Sequence, residues 1–256
     1  MEERTRADAV RQRANELRER SASISRMDGG TGDAMTIAVA RQLVTAVDQI
    51  EALYDEWATR EISLEKDDTA MENLQAALWS YELIVRSGMR RIDELTQQSR
   101  AQKLTEVLAN ASILEGDLIA RDVGSYKALE FIPRSAGVYW TSADLVDNTG
   151  SGYLQITVAR SSERKPVTIG GTVSGAAKRT QASTLEGIVV HTSARSSADE
   201  TAQVSEYRVV AIRPNGSYVD IQCVNQDSTS RSITREDPPV NLDRLVEIAT
   251  QPELVP

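Results

Sequence analysis

Between Leu74 and Leu95 the residues Leu74, Leu78, Tyr81, Val85, Gly88, Ile92 and Leu95 follow one another at spacings of four, three, four, three, four and three. That rhythm places one residue per turn on a single narrow stripe, and so predicts an α-helix built to pack against another helix. Its neighbours repeat it. Leu43, Val47, Ile50, Tyr54 and Trp57, with Ile37, Ala40 and Val44 widening the face, predict a helix over 34–61, with Asp33 as its N-cap. Leu104, Leu108, Ala111, Leu114 and Leu118 carry an apolar face to about 121. Thr69-Ala-Met-Glu72 has the S/T-x-x-E form of a capping box, and Ser99-Arg-Ala-Gln102 repeats it with glutamine. A helix start near 69 and a boundary or kink at 97–99 are therefore expected; without that boundary 68–121 is one long helix. Residues 34–123 read as a helical domain, either a hairpin or a three-helix unit with coiled-coil character.

Ahead of this domain lies an arm. Val10, Leu17 and Ile24 recur every seventh residue from 2 to 26, too thin a stripe for a helix stable by itself. Seven arginines, among them Arg4, Arg11 and Arg18, outnumber five acids there, so the arm is locally basic. Met27 to Asp33, with Gly29, Gly30 and Gly32, breaks the helix and reads as a hinge. A phosphate cradle there would need a preceding strand and a following Gly-Lys-Ser/Thr, and it has neither. Residues 1–33 are thus a basic helical arm and a glycine-rich hinge.

At about 124 helical periodicity gives way to Gly, Ser, Thr, Val and Ile. Short strands are predicted at 138–141, 153–160, 166–173, 186–193, 206–213 and 217–224. Leu154, Ile156 and Val158 alternate with Gln155 and Thr157; Val219, Ile221 and Cys223 alternate with Asp220 and Gln222. One buried and one solvated face is the signature of an antiparallel sheet. Asn215-Gly216 supplies a hairpin turn between the last two strands. An antiparallel β-sandwich or barrel over 124–237 follows, with polar surface loops at 174–184 and 194–205. Within 238–256, Asn241 caps a short helix over 242–249, and an extended tail follows. The fold class expected is α+β.

Composition narrows the function. A net charge of −9 argues against a general nucleic-acid or membrane-surface binder. The basic residues are 24 arginines and 5 lysines, a bias read first as GC-rich coding sequence. One cysteine (Cys223) and one histidine (His191) exclude an intrachain disulfide and a Cys/His zinc site within one chain. No metal site and no cofactor are expected. Signal-peptide and transmembrane patterns are missing, which points to the cytoplasm or to a particle assembled there. His191 lies in the apolar run Ile188-Val-Val-His191 with no nucleophile elbow in the chain, and Cys223 reads as a small buried hydrophobe. No catalytic residues are assigned. Tyr153, Tyr207 and Tyr218 could stack bases, but no basic stripe accompanies them.

These features favour a non-enzymatic structural protein that associates with itself and with other structural proteins, a virion component (coat, connector or tail) fitting the layout best. Arg4, Arg11, Arg18, Lys178, Arg179 and Arg195 are the candidate assembly or binding residues. The alternative is an oligomeric adaptor whose β loops bind a protein. Third comes an enzyme, or a protein that binds nucleic acid through the arm.

Overall fold

The computed structural model describes residues 68–160, 177–185, 187–196 and 203–256, with nine isolated positions between 12 and 55. The hinge, most of the arm, most of the helix expected at 34–61 and the strand expected at 166–173 lie outside the described residues. The chain divides into two compact units, Met1–Thr96 and Gln97–Pro256.

The second unit is built on one antiparallel sheet of eight strands. These are β1 (Ile119–Arg121), β2 (Ile132–Ser135), β3 (Val138–Asp147), β4 (Gly150–Arg160), β5 (Ala177–Leu185), β6 (Ile188–Ser196), β7 (Ser205–Ile212) and β8 (Ser217–Val224). Their order is β1-β3-β4-β8-β7-β6-β5, and β2 pairs with β3 beside β1. The alternation that marked β4 and β8 sets their register: Leu154 lies opposite Cys223, Ile156 opposite Ile221 and Val158 opposite Val219. All six are fully buried, each apolar side chain contributing roughly 1.5–3 kcal/mol relative to exposure. Asn215-Gly216 makes the turn from β7 to β8. Asn215 Oδ1 accepts from Ser217 N at 2.9 Å, and Gly216 takes the positive φ (80°) that favours glycine there.

Two helices complete the described structure, α1 (Asp68–Asn110) and α2 (Leu242–Ala249). Ala101, Leu104 and Leu108 of α1 and Leu245, Ile248 and Ala249 of α2 join the sheet's apolar face in one core. Thr105 Oγ1 accepts from Phe131 N at 2.9 Å, tying α1 to the segment that enters β2. Asn241 caps α2, its Oδ1 accepting from Arg244 N at 2.8 Å. Neither helix carries a basic residue in its last turn, and each receives one from elsewhere in the unit. Arg244 Nη2 donates to the carbonyls of Ala111 (2.5 Å) and Ser112 (3.0 Å), just past the end of α1. Arg213, buried, donates to Gln251 O at 2.6 Å beyond α2. A cation at a helix C-terminus complements the partial negative charge of the unpaired carbonyls.

Several expectations are corrected. The β domain is neither sandwich nor barrel: among the described residues there is a single sheet, and β5 does not pair with β1 or β2 to close it. A second sheet is unnecessary because the two helices cover the apolar face. The three-helix unit, the coiled coil and the helical bundle are not found among the described residues, in which two helices can be bounded, of 43 and 8 residues. The physical reason lies in α1 itself: its last apolar residues join a core built mainly on the sheet, with only the short α2 beside them. Nor does α1 break at 97–99. The Ser99 motif sits inside a continuous helix about 65 Å long. The helix ends at Asn110 rather than 121, where Ser112 turns left-handed (φ 50°) and Arg244 meets the carbonyls. Ile119–Arg121, expected as helix, forms β1, and 177–184, expected as loop, lies within β5.

Candidate functional site

Because successive strand residues alternate between faces, the register that sets the apolar residues on one side of the sheet turns a largely polar, half-buried set to the other. Five strands carry a straight transverse row on that second face. Ser142 lies opposite Gln155, Gln155 opposite Gln222, Gln222 opposite Arg208 and Arg208 opposite Ser193. Ser142 and Ser193 are buried, whereas Gln155, Gln222 and Arg208 are half-buried. Asp220, in the next row, holds Arg208 bidentately, with Nε–Oδ1 at 2.9 Å and Nη2–Oδ2 at 2.6 Å. Hydrogen bonding to Asp220 raises the Arg208 pKa above its ordinary value, so the guanidinium stays charged and already neutralised. On the other side Tyr153 donates to Gln155 Oε1 at 3.2 Å, and burial raises its phenol pKa. Glu206, fully buried, lies opposite Arg195 across β6–β7.

An aromatic cluster flanks this face at β2–β3. The Arg134 guanidinium lies 4.2 Å from the Trp140 ring centroid and 4.9 Å from that of Tyr126. The two rings meet edge to face at 5.2 Å, and Arg134 Nη1 also donates to Tyr126 Oη at 3.3 Å. Arg134 is exposed, so the stack presents a cation, two rings and a phenol at the surface in fixed geometry.

One end of the sheet is covered by the segment 226–238, which the sequence reading passed over. Asn225, fully buried, organises it: Nδ2 donates to the carbonyls of Gln203 (3.0 Å), Arg235 (3.0 Å) and Glu236 (2.9 Å), and Oδ1 accepts from Ser205 N at 2.8 Å. Ser228 binds both oxygens of Asp144 at 3.0 and 2.7 Å. Arg235 pairs with Asp147 at 3.2 Å. Hydrogen bonds from Thr149, then the Arg235 charge, hold the Asp147 carboxyl below its ordinary pKa against the opposing effect of burial. The segment comes close at Gly150, where a Cβ would lie 2.5 Å from Thr234 Oγ1, and the chain just after it at Gly152, where a Cβ would lie 2.5 Å from Pro239 Cδ and from Val224 O.

The candidate residues are distributed unevenly. Arg4 and Arg11 lie outside the described residues. Arg18 forms an ion pair with Asp48 in the first unit. Lys178 and Arg179 lie on β5 and Arg195 on β6, at one end of that hairpin, where Ala177 is opposite Arg195 and Arg179 opposite Ala194. His191 is half-buried, opposite Ala182 and Val210, both aliphatic. Cys223 is fully buried on the apolar face, and burial pushes its thiol up to about 12. Among the described residues no cluster of His, Cys, Asp or Glu could hold a metal ion, and no helix is long and apolar enough to cross a membrane.

The sequence reading missed both the Arg134 stack and the transverse row. The turn before β3, with Gly137 at φ 71°, was a signal for the stack, since it folds Arg134 back beside Trp140. The row becomes visible only once the register of five strands is known.

No known protein family, curated protein or solved structure matches this chain.

Proposed function

We propose that the chain is a non-enzymatic structural protein that builds a homo-oligomeric assembly. The observation that carries this reading is the half-buried polar face of the sheet and the exposed rim beside it. There Asp220 neutralises the charge of Arg208, and beside the pair stands the preformed Arg134–Trp140–Tyr126 stack. Arg, Trp and Tyr in fixed geometry are the residue types that dominate protein–protein interfaces, because they bury large area while losing little side-chain freedom. The groups best able to do chemistry are poorly placed for it: the Cys223 thiol is buried and protonated, and His191 has aliphatic cross-strand neighbours.

Sedimentation equilibrium of the full chain tests the reading. Concentration-dependent association that Arg134→Ala and Trp140→Ala weaken supports it; a monomer at every concentration refutes it. The same stack also favours the adaptor reading. If the chain is a simple dimer whose Arg134→Ala variant loses a different protein while remaining dimeric, the adaptor is the better account.

A further inference from the structure

The two edges of the sheet are built differently. On one side the edge is broken up: β1 offers three residues and β2 four, both against β3. Pro133 removes a backbone donor from β2, and the register shifts between Pro133 and Ser135. Short strands, proline and a bulge are the features that keep an edge from recruiting another chain.

The opposite edge carries little of this protection. β5 is nine residues long, and among the described residues it pairs on one side only, with β6. Its charges, Lys178 and Arg179, and its register shift between Ala177 and Arg179 are confined to the first third. From Thr180 to Leu185 the strand has no charge, no proline and no irregularity, and Ala182 to Leu185 are exposed. A regular, uncharged edge with no second strand on it among the described residues, on a sheet whose other edge is protected, is suited to strand addition.

We propose that β5 is a self-association edge, on which β5 of a second copy adds antiparallel to make one sheet continuous across a twofold axis. The proposal rests on the self-association reading above and gives it an interface. The strand's own sequence selects the occupant. In an antiparallel register centred on Gln181, Lys178 comes opposite Thr184, Arg179 opposite Ser183 and Thr180 opposite Ala182. No basic residue then opposes another, so the strand is complementary to itself. Because the far edge is protected, β5-to-β5 pairing closes at two copies and does not propagate into an open fibre.

The test uses the full chain with Thr184→Lys and Thr184→Glu, an exposed position that the register sets opposite Lys178 of the second copy. Like charges directly opposite across strands are destabilising and opposite charges stabilising, and the twofold makes each contact occur twice. Thr184→Lys is expected to raise the dimer dissociation constant roughly 2- to 30-fold and Thr184→Glu to lower it by a similar factor. Hydrogen exchange on the wild type adds a second readout: amides of 180–185 become protected at concentrations where the dimer forms. Two variants that shift association in the same direction, or not at all, overturn the edge while leaving assembly through another surface intact. Amides of 180–185 that exchange freely within an oligomer also overturn it and leave the edge to a different protein. A wild-type chain that stays monomeric removes this proposal together with the reading it rests on.

Discussion

Replacing Asn225 tests whether one buried amide organises the covered end of the sheet. Its side chain reaches four backbone partners: the two Nδ2 hydrogens are shared among the carbonyls of Gln203, Arg235 and Glu236, and Oδ1 accepts from Ser205 N, the equivalent of three full hydrogen bonds. At a net ~1 kcal/mol each, with a spread of about half that, Asn225→Ala removes roughly 1.5–4.5 kcal/mol. The consequences differ by partner. Glu236 is exposed, so its carbonyl can turn to water, whereas Ser205 is buried and its amide is left without a partner. That places the expected loss at about 2–4 kcal/mol. Asn225→Asp keeps the acceptor for Ser205 N but sets a carboxylate against three carbonyls, so at neutral pH it is expected to cost more than alanine. Its folded pKa would lie above the unfolded value, and the extra cost would shrink as pH falls through that folded pKa. Urea unfolding followed by circular dichroism at pH 7 and pH 5 measures both variants. An alanine variant losing less than about 1 kcal/mol, or an aspartate variant no worse than alanine at either pH, would refute the reasoning.

Three further outcomes are expected. Cys223, with its thiol pushed up to about 12, should resist a disulfide reagent at pH 8 in the native protein and react at once in denaturant; rapid native labelling would show the sheet core to be open. Asp147 and Asp227 have depressed pKa values, caused first by the Thr149 side-chain hydrogen bond in one and the Ser230 backbone hydrogen bond in the other. Depressed carboxylates contribute stability that is complete above their unfolded pKa (about 3.9) and lost as pH falls through the folded one, so Asp147→Asn should flatten the acid limb of a stability–pH profile; an unchanged limb would contradict this. Gly152→Ala should destabilise the unit by about 1–3 kcal/mol, because its Cβ would meet Pro239 and the Val224 carbonyl at 2.5 Å; a thermal midpoint equal to wild type would mean the segment is not seated there.

What the sequence showed and what it hid separate along the line between local and distant causes. Alternation in β4 and β8, the Asn215-Gly216 turn and the Asn241 cap are each decided within a few residues, and all three are in the structure. The end of α1 is not decided locally. The apolar face continues through Leu114 and Leu118, yet the helix stops at Asn110, where Arg244 from a distant helix takes the next carbonyls. Likewise Ser99-Arg-Ala-Gln102 has the same form whether it opens a helix or sits inside one, and the choice follows from the core that Ala101, Leu104 and Leu108 join. A single sheet covered by helices and a two-sheet sandwich produce the same alternation in each strand, so periodicity could not tell them apart. β5 escaped notice because it is polar and small-residue rich, as an edge strand can be.

For the candidate site the same division holds. Lys178, Arg179 and Arg195 were visible as basic residues in polar stretches, but their convergence on one hairpin depends on strand register. The row from Ser142 to Ser193 draws one residue from each of five strands, and no short stretch of sequence contains it.

Sedimentation equilibrium of the full-length chain over a wide concentration range tests the central claim, self-association, most directly. Self-association requires a mass that rises with concentration from one chain to a dimer or larger assembly. A mass fixed at that of a single 28.1 kDa chain throughout would contradict it.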